Sequence, residues 1–311
     1  MCCLFGLMDY QHTLSGPQKS KLLSVLSREC EARGTDAAGV AYNAGGKLRI
    51  YKRPGPAHKL KLNIPDEATV IMGHTRMTTQ GNERWNFNNH PFFGRAGNTT
   101  FALAHNGIIY NDRTLRKEFN LPYTKIQTDS YIAVQLIQKE RTVDFVSLRY
   151  MAETVNGSFT FTVLDDQNNL YFVKGDNPLC IYRYKKAGLL IYASTKEILN
   201  KALKRLNMPL EKPEEMEISC GDIWKVDSSG TLTEENFHTG NLFHSWYLSN
   251  YQPQRLAGIS ALPRRFHEGQ YIKDLKSLAG YFGYSPEDID LLLAEGFSPE
   301  ELEEYFYTGV L

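Results

Sequence analysis

The sequence predicts an α+β fold with antiparallel sheets, and three patterns support this prediction. Short runs rich in β-branched and aromatic residues, bounded by Gly, Asn or Pro, occur in both halves of the chain and are typical of strands. Helical patterns lie between and after groups of strands, without the regular alternation of a parallel doubly wound sheet. Short polar connections of the hairpin type join two pairs of later strands.

The first half of the chain contains four strand-like segments and two helical ones. The predicted strands are Leu4–Met8, Gly39–Tyr42, Thr69–Thr75 and Thr100–His105. The predicted helices are Pro17–Ala32 and Asp129–Lys139. In the first helix a proline suits the first turn, and apolar residues recur at helical spacing, namely Leu22, Leu23, Leu26 and Cys30.

Strand-like segments dominate again between Ser158 and Val226. They are Phe159–Leu164, Leu170–Val173, Leu179–Tyr184 and Leu189–Ala193. The connections that predict hairpins are Asp165–Asn169 and Lys185–Gly188. After about residue 236 the chain becomes irregular and aromatic, and then helical. We therefore predict two parts, a domain of residues 2–236 and a C-terminal extension of residues 237–311.

The extension contains the same helix-start signal twice. Tyr284-Ser-Pro-Glu and Phe297-Ser-Pro-Glu each offer a serine N-cap, a proline in the first helical position and an acid three residues after the cap. Those acids are Asp288 and Glu301, and Gly296 would end the first of these helices. The pattern predicts two or three short helices that pack or dock without chemistry of their own.

Composition disfavours several classes of protein. The chain has 35 basic and 35 acidic side chains and a formal net charge of +0, so no overall basic field attracts nucleic acid or an anionic membrane. No apolar run approaches the ~20 residues of a membrane-spanning helix, and the first residues lack the cationic region of a signal peptide. Five scattered cysteines without a CxxC pair add to a prediction of a cytoplasmic protein without disulfides, structural zinc or other cofactor.

The cysteines receive different interpretations. Cys30, Cys180 and Cys220 are interpreted as small buried apolar residues. Cys2 would become the first residue if Met1 were removed, and a thiol and a free α-amine would then lie on one residue. An α-amine has a pKa of about 7.7–8.0, so it can accept the thiol proton near neutral pH. A nucleophile with its own base is a recognised activation scheme, although a cysteine at position 2 alone is weak support for it.

Three further segments offer groups that could bind and polarise a small substrate. Arg76 follows a strand-like run and could form a two-point contact with a carboxylate, or a surface ion pair. Asn106-Gly107 at a strand end could supply an amide and an open backbone N–H to an oxyanion, or form a turn. Asp129 could bind a cation, or cap the helix that follows. When each segment is considered alone, the structural interpretation (ion pair, turn or helix cap) is favoured over the functional one.

Six motifs, however, occur in a fixed order. They are Cys2-Cys-Leu-Phe-Gly6, Arg33-Gly-Thr-Asp-Ala-Ala-Gly39, Gly73-His-Thr-Arg76, His90-Pro-Phe92, His105-Asn-Gly107 and Thr128-Asp129. In order and approximate spacing they resemble class II glutamine amidotransferases, whose glutaminase domain is an N-terminal-nucleophile hydrolase. The resemblance extends from Cys2 to about Val226, with weaker similarities at Asn156–Phe159, Ala193-Ser194 and Gly221-Asp222.

The resemblance implies a four-layer αββα sandwich with two antiparallel sheets, and a catalytic role for Cys2. This cysteine would attack the side-chain amide of glutamine with its own α-amine as base, and water would release glutamate from the thioester. Asn106 and Gly107 would stabilise the oxyanion. The residues implied to bind glutamine are Arg76 and Thr79 at the α-carboxylate and Asp129 at the α-ammonium.

The sequence departs from the family pattern at four positions. Cys3 stands where many members have glycine, which places a second thiol, either inert or oxidation-prone, next to the nucleophile. Met77 and Gln80 replace the tryptophan and histidine common in the sugar-linked enzymes, and Ala37 stands where serine is frequent. The replacements at Met77 and Gln80 weaken a link with glucosamine synthesis without touching the glutaminase residues.

The extension leaves the fate of the ammonia open. Its 75 residues are too few for the synthase domains to which the well-known family members are fused, and they contain no nucleotide-binding glycine motif. One hypothesis is a glutaminase that passes ammonia to a separate synthase subunit. Another is a stand-alone hydrolase of γ-glutamyl amides or peptides. A third is a catalytically idle glutamine sensor, which the retained nucleophile disfavours. The sequence does not determine the oligomeric state.

Overall fold

The computed structural model describes residues 2–206, 208, 210–242, 272, 275, 276, 279, 284–295, 297 and 302. The chain divides into two compact units, residues 1–252 and residues 253–311. The domain boundary near residue 236 stays a prediction. Within the described part of the chain, no helix is long and apolar enough to cross a membrane.

The described strands of the first unit form two sheets. In chain order they are β1 (Cys3–Asp9), β2 (Ala37–Ala44), β3 (Lys47–Pro54), β4 (Val70–Arg76), β5 (Phe92–Ala96), β6 (Thr99–Ile109), β7 (Gly157–Asp165), β8 (Leu170–Lys174), β9 (Cys180–Tyr184), β10 (Leu189–Ala193), β11 (Glu214–Met216), β12 (Asp222–Val226) and β13 (Leu232–Asn236). The first sheet has the order β11-β9-β10-β1-β4-β2-β3 and the second β13-β12-β8-β7-β6-β5. The pairings within both sheets are antiparallel.

Helices complete the layers of the first unit. They are α1 (Gly16–Glu29), α2 (Asp112–Glu118), α3 (Tyr131–Glu140), α4 (Phe145–Thr154) and α5 (Lys196–Leu206). Apolar residues of α1 and α5 share one core with the first sheet, and those of α3 and α4 share another with the second sheet. A third apolar layer contains residues of both sheets. The predicted α+β fold, a four-layer αββα sandwich, is therefore confirmed.

Strand β1 shows how the sequence builds these layers. Phe5 and Leu7 pack in the core shared with the helices, whereas Leu4 and Met8 pack in the layer between the sheets. Successive side chains of a strand point to opposite faces, so a strand buried on both faces needs a continuous apolar run. At Gly6 a Cβ atom would lie 2.3 Å from the carbonyl oxygen of the neighbouring strand, so only glycine fits there.

The predicted strands all correspond to observed ones, but several elements escaped prediction. These are β3, β5, β11, β12, β13, α2, α4 and α5. Strand β3 carries four basic residues and lies at the edge of its sheet, where a strand needs no continuous apolar pattern. Helix α4 begins with a capping box at Asp144 and Ser147, a local signal that sequence inspection could have found.

Several predicted boundaries differ from the structure by one or more residues, and three of these differences concern α1, β6 and α3. Helix α1 ends at Glu29, and the segment Cys30–Ala32 forms a separate turn of 3₁₀ helix. Strand β6 runs four residues beyond its predicted end, so Asn106-Gly107 lies inside a strand and not after it. Helix α3 begins at Tyr131, after the residue with which the predicted helix starts.

The second unit confirms one of the two helix-start signals. Helix α6 (Pro286–Ala294) has Ser285 as its N-cap, and Ser285 and Asp288 form the expected reciprocal capping box. Ile289 of this helix packs in an apolar cluster with Leu275, Ala279 and Leu302. The second copy of the signal, at residues 298–301, and Gly296 lie outside the described residues.

Candidate active site

Antiparallel pairing brings Cys2 and Arg76 together at one end of the first sheet. Cys3 at the start of β1 pairs with Thr75 near the end of β4, so the next residues outward, Cys2 and Arg76, are neighbours. On its other side Arg76 pairs with Ala37 at the start of β2. Residues that are distant in sequence thus meet where three strand ends lie side by side.

Cys2 lies partly exposed at this end of the sheet. Its Sγ lies 3.5 Å from the carbonyl oxygen of Met77, and its own carbonyl accepts a hydrogen bond of 2.9 Å from Arg33 Nε. Burial raises the pKa of the Cys2 thiol, and the nearby positive charge of Arg76 opposes this effect. The thiol is therefore mainly protonated at neutral pH and needs a base to become a nucleophile.

Arg76 is buried, and its guanidinium is held by neutral acceptors. Nη1 donates to Asn89 Oδ1 at 2.7 Å, and Nη2 donates to the carbonyls of Gln80 and Gly81 at 2.5 and 3.2 Å. These three bonds leave two of the five guanidinium N–H groups for another acceptor. Within the described part of the chain Arg76 forms no ion pair, so the alternative of a surface ion pair is wrong. A buried cation of this kind strongly favours an anionic ligand.

Residues that sequence reasoning did not single out hold the loop that follows Arg76. Asn89 binds Arg76 through its oxygen and donates its Nδ2 to the carbonyl of Glu83 at 2.7 Å. Lys52 Nζ donates to the carbonyls of Asn89 and Pro91 at 2.5 and 2.9 Å. Asp36 accepts the backbone N–H of Thr78 at 2.7 Å. The signal for Asn89 was present, since the Asn-Asn-His-Pro segment adjoins a motif, but its partners are distant in sequence.

Strand β6 has an open edge where Asn106 and Gly107 lie. Strand β5 pairs with β6 only as far as Phe92 with Leu103, so the following residues lack a strand partner on that side. On the other side, Phe159 lies opposite Gly107, yet the Phe159 N–H donates to Asp176 Oδ1 at 2.9 Å. Gly107 and Phe159 are therefore a non-hydrogen-bonded pair, and the Gly107 N–H is expected to point to the open edge.

The conformation of Asn106-Gly107 suits close approach of a ligand to the backbone. Gly107 has φ = +139°, and a Cβ atom there would lie 1.9 Å from the carbonyl oxygen of Ser158. Asn106 is buried, and its Nδ2 has no hydrogen-bond partner among the described residues. A buried amide donor without an acceptor is uncommon and is explained if a ligand oxygen binds there. The alternative interpretation as a turn is wrong because both residues lie inside β6.

Asp129 is buried and bonded to the same edge of β6. Its Oδ2 accepts the Ile109 N–H at 2.7 Å, and Ser130 Oγ lies 3.4 Å from its Oδ1. Burial raises the pKa of the Asp129 carboxyl, against the opposing effect of these donors and of Arg76. The alternative of a helix cap is wrong, because Ser130 is the N-cap residue of α3. Asp129 thus places a carboxyl group in the part of the site that β6 lines.

Thr79 is placed differently from the other predicted residues. It is exposed in the loop after β4, and the structure gives no contact between its side chain and the other predicted site residues. The neighbouring Thr78 is the loop residue whose backbone is fixed by Asp36. The placement of Thr79 near a substrate carboxylate therefore remains a prediction.

The other cysteines are partly as expected. Cys3, Cys30 and Cys180 are buried. Cys3 packs in the core between the first sheet and helices α1 and α5, and not in the apolar layer between the two sheets. Cys220 is exposed, so its interpretation as a buried apolar residue is wrong. In the described part of the chain, no group of three or more His, Cys, Asp or Glu side chains is placed to hold a metal ion.

Sequence comparison identifies a related family. Residues 74–201 match the family of the glutamine amidotransferase domain. The chain is 32% identical over 190 residues to the glutamine–fructose-6-phosphate aminotransferase (isomerizing) of Bacillus thuringiensis subsp. konkukian, covering 58% of this chain and 30% of that protein. The enzyme of the same name from Sulfurisphaera tokodaii is also 32% identical and is covered to 31%. The chain thus spans about a third of the length of these curated relatives.

Two solved structures share the fold. The glutamine phosphoribosylpyrophosphate amidotransferase from B. subtilis, in complex with ADP and GMP, aligns with a TM-score of 0.58 and 20% identity over 76% of this chain and 49% of that one. The allosteric regulatory enzyme of purine biosynthesis aligns with a TM-score of 0.59 and 18% identity, covering 90% of this chain and 58% of the other. At these identities the similarity supports the fold alone.

Proposed function

We propose that this chain, whose residues 74–201 match the glutamine amidotransferase domain family, hydrolyses the side-chain amide of glutamine to glutamate and ammonia. The observation that carries this proposal is the buried Arg76, which has no ion-pair partner among the described residues and lies next to the partly exposed Cys2 thiol. A cation in this position requires an anionic ligand, and a free amino acid supplies one in its α-carboxylate.

The first chemical step assigns Cys2 as the nucleophile. If the mature protein begins at Cys2, the free α-amine takes the thiol proton, and the sulfur attacks the amide carbon of glutamine. Because burial raises the thiol pKa, this intramolecular base matters more than it would for an exposed cysteine. The same amine then donates its proton to the departing nitrogen, which leaves as ammonia. Water completes the cycle by hydrolysing the γ-glutamyl thioester, and no cofactor takes part.

The neutral donors of β6 would stabilise the tetrahedral intermediate. Asn106 would supply its unpaired Nδ2, and Gly107, which strand β6 holds in register with β7, would supply its backbone N–H. Donors that are already oriented need no reorganisation when negative charge develops on the amide oxygen. This is the chemical reason for placing two neutral donors, and not a cation, on this side of the site.

The charged ends of the substrate would be bound by oppositely charged side chains. Two N–H groups of Arg76 remain available to the α-carboxylate, and Asp129 offers its carboxylate to the α-ammonium. Thr79, in the loop after β4, is proposed to lie near the carboxylate of the bound substrate. One cation and one anion match a zwitterionic substrate.

The decisive experiment measures glutamate and ammonia produced from glutamine by the full chain. Cys2→Ala should abolish the activity and also covalent labelling by a glutamine-analogue electrophile. Cys3→Ala is the matched control, because it removes the adjacent thiol from a buried position outside the site and should retain both. An inserted alanine before Cys2 should also abolish turnover, because it displaces the α-amine from the cysteine.

Two results would contradict the proposal. The first is a wild-type protein, shown by mass spectrometry to begin at Cys2, that makes no glutamate and is not labelled. That outcome would favour a glutamine sensor. The second is undiminished activity in Cys2→Ala, which would overturn the assignment of the nucleophile.

The destination of the ammonia forms a separate part of the proposal. We place this chain with amidotransferases that deliver ammonia to an acceptor, here a separate synthase subunit, with residues 237–311 as the docking segment. Slow hydrolysis by the pure protein that accelerates when the acceptor is added would support this. Rapid release of ammonia without any other protein, together with faster turnover of γ-glutamyl peptides than of glutamine, would favour a stand-alone hydrolase.

A further inference from the structure

Three buried imidazoles lie close together beside the site, and the proposed reaction uses none of them. They belong to His74 on β4, His90 before β5 and His105 on β6. The ring centroids of His74 and His90 are 4.2 Å apart, and those of His90 and His105 are 6.5 Å apart. Strand β4 belongs to the first sheet and β6 to the second, so this histidine cluster connects the two sheets.

His74 differs from its neighbour His90 in having a backbone partner. Its Nε2 lies 2.9 Å from the carbonyl oxygen of His105, and a carbonyl can only accept, so Nε2 carries the proton. Burial lowers the pKa of His74 to about 3, which leaves the ring neutral with a single proton. Neither ring nitrogen of His90 has a hydrogen-bond partner among the described residues.

The His105 carbonyl needs this donor because of its place in the sheet. It lies on the edge of β6 that strand β5 leaves open after Leu103. In a regular antiparallel sheet the next strand would supply an N–H at this point. Here the side chain of His74 supplies it from the other sheet, and a buried carbonyl that would otherwise lack a partner is satisfied.

The hydrogen bond from His74 to the His105 carbonyl lies immediately before Asn106 and Gly107 in the sequence, the two residues assigned to the oxyanion. The His105 carbonyl belongs to the peptide group that contains the Asn106 nitrogen, and Gly107 follows. On the far side of Gly107, the Ile109 N–H is held by Asp129 at 2.7 Å. The open edge is therefore fixed on both sides of Gly107, by an imidazole before it and by a carboxylate after it.

We propose that His74 is a positioning residue for the oxyanion donors, and this inference rests on the proposed glutaminase function. By donating to the His105 carbonyl it fixes the orientation of the peptide that leads into Asn106, and so the direction of the Asn106 side chain and the Gly107 N–H. His74 and Arg76 lie on one strand, separated by a single residue. The same strand thus carries the group that binds the substrate carboxylate and the group that orients the oxyanion donors.

The test compares three variants with wild type. His74→Phe keeps a ring of similar size and removes the donor. His74→Gln keeps an N–H donor at a similar reach, since the Gln and His Nε2 atoms are equally many bonds from Cα. His90→Phe is the matched control, because it makes the same change in the neighbouring ring, for which the structure gives no hydrogen bond to lose.

His74→Phe should lower kcat by roughly 10- to 100-fold, less than the roughly 10²- to 10³-fold expected when an oxyanion donor is removed outright. Glutamate should still protect Cys2 from alkylation at the same concentration, because Arg76 and Asp129 are unchanged. His74→Gln should recover most of kcat, and His90→Phe should stay within a few-fold of wild type. Hydrogen–deuterium exchange of residues 103–110 should become faster in His74→Phe than in His90→Phe.

Each contrary result has a distinct meaning. Equal losses in His74→Phe and His90→Phe, or failure of His74→Gln to recover kcat, would reduce His74 to a packing role. A weakened glutamate protection in His74→Phe would place its effect on binding and overturn the inference. If wild type has no glutaminase activity, the proposed function fails, and the exchange measurement still tests the bond. Unchanged exchange in His74→Phe would then overturn the positioning role by itself.

Discussion

The two sheets contribute to the site in different ways. The end of the first sheet supplies the groups that carry or develop charge, Cys2 and Arg76, and a loop fixed by polar side chains surrounds them. The open edge of β6 in the second sheet supplies neutral donors that belong to Asn106 and to the Gly107 backbone. The first sheet thus contributes through charged or ionisable side chains. The second contributes through the part of β6 that β5 leaves unpaired, beside which Asp129 places a carboxyl group.

This difference separates the proposed binding of the substrate carboxylate by Arg76 from the proposed stabilisation of the oxyanion by β6. A buried cation binds the substrate carboxylate equally in the ground state and in the transition state, so its loss should appear mainly in KM. Neutral donors aimed at a developing oxyanion act mainly in the transition state, so their loss should appear in kcat. Variants on each sheet can therefore test whether the two roles are separable.

Among substitutions that leave Cys2 in place, the largest effect is expected for Arg76→Gln. Removing the cation leaves the substrate carboxylate unpaired in a buried site, which costs on the order of 3–5 kcal/mol, or roughly 10²- to 10⁴-fold in kcat/KM. Most of the loss should be a rise in KM, measured by glutamate release at varied glutamine concentrations. Arg84→Gln in the following loop, where the arginine is exposed, is the matched control. A lower kcat at unchanged KM would contradict the division of roles.

Asn106→Ala is expected to have the next largest effect, of the opposite kinetic type. Loss of one oxyanion donor should lower kcat by roughly 10²- to 10³-fold while KM changes little. Glutamate protection of Cys2 against alkylation provides an independent measure of binding. If that protection is lost as well, Asn106 contributes to substrate binding, and carboxylate binding and oxyanion stabilisation are not assigned to separate sheets.

A smaller effect is expected for Asn89→Ala. The change removes the acceptor that orients Arg76 and frees the carbonyl of Glu83, so KM should rise by about 10-fold, equivalent to about 1.4 kcal/mol for the loss of a hydrogen bond to a charged group. Asn86→Ala, an exposed residue of the same turn, is the control. Equal KM values for the two variants would show that Arg76 does not depend on Asn89.

The smallest effect at neutral pH is expected for the stability of His74→Gln, which should differ from wild type mainly in acid. His74 has a folded pKa of about 3, lowered by burial and by neighbouring positive charges, against 6.5 when unfolded. Between these two pH values His74 is protonated in the unfolded chain but neutral in the folded one. The free energy of unfolding therefore decreases as pH falls from 6.5 towards 3, by at most about 1.4 kcal/mol per pH unit. Thermal unfolding of His74→Gln should depend less on pH over this range. An identical pH dependence would contradict this assignment.

Sequence patterns predicted the fold class because the central strands are buried on both faces. Strands such as β1 and β10 need continuous apolar runs, and such runs are visible without any structure. The basic edge strand β3 and the short β11 lack this requirement, and they escaped prediction. The central strands of the fold could therefore be predicted from the sequence, whereas the strands at the edges of the sheets could not.

The site shows a similar limit. Cys2, Arg76 and Asp129 could be named because each lies in a local motif with a chemical reason for its residue type. The support from Asn89 and Lys52 could not be predicted, because it depends on contacts between segments that are distant in sequence. The open edge of β6 is also a tertiary property, since it exists only because β5 ends its pairing at Leu103.

Strand β1 occupies the middle of the seven-stranded sheet, with three strands on either side. Chain termini commonly fray, but a central strand opens only when the whole sheet does. Strand β1, which begins next to Cys2, is therefore expected to be among the parts of the unit whose backbone amides exchange most slowly. Heat inactivation should coincide with global unfolding and should not precede it, because the strand next to Cys2, the proposed nucleophile, stays in place while the sheet remains intact.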